Sequence, residues 1–305
     1  MDMPLFLAAE GTPVFAATEL SEARWDRCNF VVNGDAASVL PTFPHEIVNT
    51  IVTSPPYYGQ RDYGVPGQLG TEAVAENYVS RLVEILRLAR RVLRSDGTLW
   101  LNIGDKYIDG ALAGLPWKIA FALVEDGWIL RSDIIWHKPN AMPHSVKNRP
   151  TTDHEYIFLL SKSSSYYYDA DAIREPHVTF SGNSRMRGGR NHFGKRGGTP
   201  EIGKNGGNSN LHNGRWDQAF HPLGRNKRTV WQVPLSKFRD AHFAVFPERL
   251  IQPCVVAGCP KGGIVLDPFF GSGTTGLVAL NNGRRFLGVE INPEYCAMAR
   301  GRLPT

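Results

Sequence analysis

The sequence predicts an α/β protein built as a doubly wound, mostly parallel sheet with helices on both faces and a small irregular region set into it. Three observations carry that prediction. Short apolar runs alternate along the chain with stretches whose apolar residues recur at helical spacing. A Gly-rich turn, Gly271–Gly276, follows one apolar run and opens a helical stretch. Between Gly182 and Gly214 there are ten glycines and little apolar material, and the alternation breaks. The chain shows no internal repeat. Its 305 residues are long for one ordinary domain and short for three. A chain of that size should bury roughly 75% of its unfolded surface.

Each element has a local reason. Ile47–Val52 is an apolar run ending in Thr53-Ser54-Pro55-Pro56; successive prolines carry no backbone donor and must stop a strand. Val79, Leu82, Val83, Leu86 and Leu93 share one face, interrupted only by Arg90. That spacing predicts a helix from about Ala73 to Leu93, stopped by Ser95-Asp96-Gly97. Thr98–Ile103 follows as a buried strand. Pro116–Glu125 is a helix closed by Asp126-Gly127, Trp128–Trp136 a strand, and Tyr156–Leu160 another. Tyr166-Tyr167-Tyr168 could stack on bases, but such a run is more often a strand packing on a sheet, the reading preferred here. Asp169 and Asp171 read as turn residues. Towards the C-terminus, Gly263–Leu266 is a strand, Thr274–Asn281 a helix, Arg285–Glu290 a strand and Pro293–Gly301 a helix.

Composition removes several classes of function. With 42% hydrophobic and 21% charged residues the chain is not disordered as a whole. Four cysteines without a C-x-x-C pair exclude a disulfide scaffold and argue against zinc, and the histidines show no ligand spacing, so no metal is expected. No apolar run approaches the ~20 residues that span a bilayer. Met1–Ala17 holds acids and no Lys or Arg, which argues against a signal peptide. A soluble intracellular protein is expected. The net charge of +5 is unevenly spread. Ser181–Asp240 carries twelve Lys and Arg against three acids, a net +9, which leaves −4 on the remainder. A basic, Gly-rich segment suits either a loop wrapping a polyanion or a solvated linker, and composition alone leaves both open.

The turn after Asp267 matches G-x-G-x-x-G, and Glu290 lies 19 residues beyond Gly271 at the end of the next strand. An acid at that distance accepts hydrogen bonds from ribose hydroxyls, while the glycines let backbone approach the ligand. No Lys follows as in a Walker A loop. A dinucleotide and S-adenosylmethionine both fit this turn. Asp267-Pro268 favours the second: Asp267 could pair with the methionine ammonium group, and Thr274 and Thr275 could hold its carboxylate. At the other strand end, Thr53-Ser54-Pro55-Pro56-Tyr57 offers a hydroxyl beside a fixed carbonyl, then an aromatic ring. That set suits a flipped-out base, with acceptors for its amino group and a ring for its face. A plain proline-capped strand end is the alternative.

Together the two motifs resemble those of the DNA amino-methyltransferases, in the group whose target-base motif precedes the cofactor motif. Asp267-Pro268-Phe269-Phe270-Gly271-Ser272-Gly273-Thr274-Thr275 is similar to that family's cofactor motif. Asn33-Gly34-Asp35 matches its acidic position near the cofactor adenine, with Thr53 beside the cofactor site. Phe243–Leu250, including Phe246 and Pro247, is similar to the segment that packs on the methionine end. Leu101–Asp105, Trp136–Pro139 and Asp153–Tyr156 resemble further family segments. The resemblance implies a seven-stranded-type methyltransferase sheet: a target-base half over 1–169, a basic recognition region over 170–240 and a cofactor half over 241–305. It implies S-adenosylmethionine as cofactor and double-stranded DNA as substrate. It also suggests a separately acting cognate restriction endonuclease, and a prokaryotic cytoplasmic, nucleoid-associated setting. Monomer and dimer stay open. Arg61, Arg185, Arg187, Arg190, Lys195 and Arg196 are the candidate DNA contacts.

In this family Ser before Pro-Pro-Tyr usually marks cytosine N4 methylation, and Asp or Asn usually marks adenine N6 methylation. Ser54 therefore favours cytosine N4, with adenine N6 the runner-up. Ser54 and the Pro55 carbonyl would accept from the amino group, Pro56 would fix the loop and Tyr57 would stack on the base. Positioning of this kind supplies ~7–11 kcal/mol of a barrier. Cytosine-C5 chemistry needs a cysteine nucleophile; Pro253-Cys254 lacks the partner motif, and Cys254 reads as core. An NAD-dependent oxidoreductase would need a hydride-transfer site that does not appear, and an inert DNA-binding module would not need both motifs.

Overall fold

The computed structural model describes residues 12–16, 25, 28–143, 145–176, 221, 223–235 and 246–303. The chain divides into two compact units, one of Met1–Asp169 with Arg228–Thr305 and one of Ala170–Lys227.

The first unit runs β1 (Val14–Ala16), β2 (Phe30–Asn33), α1 (Ala36–Val39), β3 (Val48–Thr53), α2 (Ala75–Val92), β4 (Leu93–Ile103), β5 (Tyr107–Ile108), β6 (Ala111–Leu112) and α3 (Leu115–Glu125). It continues with β7 (Ile129–His137), β8 (His154–Ser161), β9 (Val230–Gln232), α4 (Glu248–Gly258), β10 (Ile264–Asp267), α5 (Thr274–Asn281), β11 (Arg285–Glu290) and α6 (Pro293–Arg302). Among the described residues nine strands form one sheet, in the order β1-β2-β11-β10-β3-β4-β8-β7-β9. Within it, β8 is antiparallel to both its neighbours and the other pairings are parallel, while β5 and β6 form a separate antiparallel pair. The outermost strands, β1 and β9, are three residues each and flank seven longer ones. The doubly wound, mostly parallel sheet expected from the alternation is present.

The core follows from patterning. Helix α2 buries Tyr78, Leu82, Leu86 and Ala89 in one cluster with Ile51 of β3, Leu99 and Leu101 of β4 and Phe158 of β8. Each fully buried Leu contributes about 1.5–3 kcal/mol relative to exposure. Cys254 of α4 is 1% exposed, in the core as expected. Among the described residues no helix is long and apolar enough to cross a membrane.

Several parts of the fold depart from the sequence reading, among them Ser95-Asp96-Gly97, which lies inside β4 and does not separate it from α2. Tyr166-Tyr167-Tyr168 is not a strand: it lies outside regular structure. The Tyr167 amide donates to Asp96 O at 2.8 Å and that of Asp169 to Ala257 O at 2.9 Å, so these donors leave no strand ladder. The run still packs on the sheet, Tyr168 stacking on Trp100 at 6.3 Å. Strand β2 escapes the periodic reading because four residues are too few to show a period. Helix α4 carries Pro253 inside it, a residue that reads as a helix breaker.

The connections place the site. From β3 the chain crosses through α2 to β4, on one side; from β10 it crosses through α5 to β11, on the other. The carboxyl ends of β3 and β10 therefore lie side by side where the winding reverses, the place where such sheets leave a crevice.

Candidate active site

A cavity of about 300 Å³ opens at that reversal, lined by Ser54 to Tyr57 from β3's exit, Pro268, Phe269, Gly271 and Ser272 from β10's exit, and Glu290 from β11. Asp35, Phe246 and Arg61 also line it. The two sequence motifs thus share one cavity although 214 residues separate Thr53 from Asp267. Arg185, Arg187, Arg190, Lys195 and Arg196 lie outside the described residues.

The motifs are joined beneath the floor. Asp267 is 1% exposed, and its carboxylate accepts from Thr53 Oγ1 at 2.6 Å, Thr275 Oγ1 at 2.6 Å and Phe269 N at 3.0 Å. Burial still pushes its pKa up to about 6, against the three donors. Asp267 does not line the cavity, so where the sequence suggests a partner for an ammonium group the structure has a strut joining β3, β10 and α5. Thr274 and Thr275 are likewise buried, with Thr275 committed to Asp267.

The Gly-rich turn does three separate jobs. Gly271 sits at φ +53°, and a Cβ there would meet no protein atom within 4 Å, so the floor stays low on the cavity side. Gly273 caps α5 at φ +87° against Ala299. At Gly276 a Cβ would come 2.7 Å from Phe270 Cζ in the turn and 3.2 Å from Phe286 Cδ2 of β11, so α5 packs closely over both rings. Glu290 accepts from Gly271 N at 2.7 Å through one oxygen and from Asn292 N at 2.8 Å through the other. Burial raises its pKa to about 7, and those two amides limit the rise. Pro247 caps α4 next to Phe246.

On the other side, the Ser-Pro-Pro-Tyr loop is clamped. Tyr78 of α2 donates to Pro56 O at 2.9 Å. Tyr57 donates to Glu155 Oε2 at 2.7 Å, and Ser54 Oγ donates to Tyr57 Oη at 3.2 Å. A Cβ at Gly104 would lie 2.8 Å from Tyr57 Cε2, so the ring seats only against glycine. Burial, then the Glu155 charge, hold the Tyr57 hydroxyl well above its usual value, so it stays protonated. Asn102 Nδ2 donates to the same Glu155 oxygen at 3.1 Å, and Lys138 Nζ pairs with the other. Asn102, Lys138 and Glu155 line the cavity, and the sequence reading assigned them no role. The available signal was polarity out of place: Asn102 in an apolar buried strand and Glu155 at the head of another.

The profile of the DNA methylase family matches residues 48–301. Type II methyltransferase M.Cfr9I of Citrobacter freundii is 43% identical over 88% of this chain and 86% of its own length. Type II methyltransferase M.SmaI of Serratia marcescens is 40% identical over 93% of this chain and 94% of its own. Among solved structures, the PvuII cytosine-N4-specific DNA methyltransferase shares the fold, with a TM-score of 0.65 at 18% identity over 95% of this chain and 88% of its own. A Thermus thermophilus protein described as a DNA modification methylase, solved with S-adenosyl-L-methionine, has a TM-score of 0.57 at 28% identity, covering 89% of this chain and 93% of its own. With both motifs facing one cavity and these relatives matched along nearly their whole length, the chain belongs to the N6/N4 DNA methylase family.

Proposed function

We propose that this protein transfers the methyl group of S-adenosylmethionine to the exocyclic N4 of a cytosine extruded from double-stranded DNA, as a methyltransferase of the restriction–modification type. The observation that carries this reading is the single cavity lined by Ser54 at one side and Glu290 and Gly271 at the other. Its volume, about 300 Å³, is in the range of small-molecule sites. The residues present fit the cofactor. Glu290 supplies a carboxylate for ribose hydroxyls, Gly271 leaves room at the floor, and Asp35, Phe246, Pro268 and Phe269 give the remaining walls. When bound, S-adenosylmethionine supplies an activated methyl group on a sulfonium.

The chain's own residues handle the base. The exocyclic nitrogen is a poor nucleophile because its lone pair is delocalised into the ring. Ser54 Oγ and the Pro55 carbonyl accept from the amino group and free that lone pair for the methyl carbon. Tyr57 gives the base a stacking surface, and Tyr78 steadies the loop through Pro56 O. Ser54 favours cytosine, and the PvuII fold neighbour bears that specificity in its description. The basic region over 170–240 engages DNA, and a separately acting endonuclease of the same specificity would be its partner.

Methylation of unmodified bacterial genomic DNA, followed by nucleoside mass spectrometry, tests this. N4-methylcytosine is expected; N6-methyladenine instead would overturn the choice of base. Ser54→Ala is expected to slow transfer by about 10²-fold while leaving S-adenosylmethionine affinity within about twofold.

A further inference from the structure

Asn102, Lys138 and Glu155 face the same cavity and play no part in holding the base or the cofactor as described above. They form one network with Tyr57 and Ser54, and donor and acceptor chemistry fixes its direction. Asn102 Nδ2 donates to Glu155 Oε2 at 3.1 Å and to Tyr156 O at 3.1 Å, which assigns Asn102 Oδ1 as acceptor only. That oxygen lies 3.4 Å from Tyr57 Oη, and Glu155 Oε2 lies 2.7 Å from it. An ionised carboxylate and an amide oxygen cannot donate, so Tyr57 must. The Tyr57 oxygen then accepts from Ser54 Oγ, at 3.2 Å. With its one hydrogen directed at Tyr57, Ser54 turns lone pairs to the cavity. Lys138 holds the other Glu155 oxygen, and the side chains of this pair are only 16% and 15% exposed. The aligned hydroxyls therefore run from the cavity to a shielded carboxylate.

We propose that Ser54, Tyr57 and Glu155 form a proton relay that carries away the proton lost by the amino group as it is methylated. The relay depends on the reading of Ser54 as the residue facing that group. As nitrogen takes the methyl group, whose bond to the sulfonium sulfur breaks with its electron pair left on sulfur, nitrogen becomes cationic, and one N–H bond then breaks with its electron pair returning to nitrogen. That proton adds to Ser54 Oγ, the Ser54 proton passes to Tyr57 Oη, and the Tyr57 proton passes to Glu155 Oε2. Both hydroxyls end neutral, and Glu155 ends as the carboxylic acid, which returns its proton to solvent before the next turnover. Glu155 acts through Tyr57 and is a positioning and relay residue, not one that touches the base. The Tyr57 hydroxyl thus has a task separate from that of its ring.

Tyr57→Phe keeps the ring and removes the hydroxyl; Glu155→Gln keeps the shape and removes the base. Labelled methyl transfer would be followed in a single turnover, with enzyme in excess over unmodified bacterial genomic DNA. Each variant is expected to be at least about tenfold slower, with S-adenosylmethionine and DNA affinities within about twofold of the original. The double variant should be no slower than the slower single one. A solvent deuterium isotope effect on the original rate should vanish in Tyr57→Phe. A full rate in either variant, or losses that multiply in the double, would overturn the relay. Should Glu155→Gln not fold, Tyr57→Phe decides alone. Ser54→Ala separates the two levels. If it is slow while Tyr57→Phe is fast, only the relay falls; if Ser54→Ala is itself fast, the reading of the site falls with it.

Discussion

Glu290 is a buried carboxyl that, with the ribose role proposed for it, should give opposite pH trends for the protein alone and for its cofactor complex. Its ordinary value is 4.5, and burial lifts it to about 7. The folded protein thus binds that proton more tightly than the unfolded chain. Stability from this group is full at acid pH and declines as pH rises from about 4.5 through about 7. Ribose hydroxyls need the ionised form as acceptor, so S-adenosylmethionine affinity should rise over the same interval. Isothermal titration between pH 5.5 and 8.5 checks this: Glu290→Gln should bind more weakly and without the slope. At Gly104, an added methyl would sit 2.8 Å from Tyr57 Cε2. Gly104→Ala is expected to slow methyl transfer by about tenfold, with stability reduced by only about 1–3 kcal/mol, read by transfer rate and thermal melting. At this scale the sequence was legible at the turn glycines, where Gly271 and Gly273 hold a left-handed backbone that glycine adopts freely. It was not legible at Asp267, whose motif places it at the ligand and whose three donors draw it below the floor. Glu155 stood out only as a charge at the head of an apolar strand, and its role was not legible because its partners come from three other segments.

Elements were read where length and period agree. Thr274–Asn281 and Arg285–Glu290 have the predicted bounds, because glycines and a single apolar stretch delimit both. Helix α2 was read within two residues at its start, and its buried face does more than pack. Tyr78 lies on that face at 0% exposure and reaches the Pro56 carbonyl. Nothing in helical spacing separates such a tyrosine from an ordinary core aromatic. Tyr78→Phe should lower the melting temperature by only about 2–4 °C, the scale of one hydrogen bond in a chain this long. Its transfer rate should fall disproportionately, because the Ser54–Tyr57 loop loses its anchor. An unchanged rate would make that bond purely structural. Helix α4 was missed because its interior proline is a local signal that tertiary packing overrides: Leu250, Ile251, Cys254 and Val255 are all buried.

The charge of the whole molecule is divided, with +9 in Ser181–Asp240 and −4 elsewhere. DNA affinity is therefore expected to fall steeply with salt, by about 10³-fold or more between 50 and 200 mM if six or more phosphates are contacted. S-adenosylmethionine affinity should barely change. Deleting Gly182–Gly214 should weaken DNA binding by more than about tenfold and leave cofactor binding intact; unchanged DNA affinity would make that segment a linker. Composition made this division legible, whereas the recognition sequence is carried by base-edge contacts that charge does not reveal. The strut between Thr53 and Asp267 has one more consequence, in the order of synthesis. Thr53 leaves the ribosome 214 residues ahead of Asp267, an interval on the order of ten to forty seconds at ordinary elongation rates. During it β3 has a bare edge where β10 will pair, and Ser-Pro-Pro-Tyr has no Gly-rich turn to share a cavity with. A nascent chain is thus inactive until β10 emerges, and any truncation before that strand should yield an exposed parallel edge prone to aggregation rather than a weak enzyme.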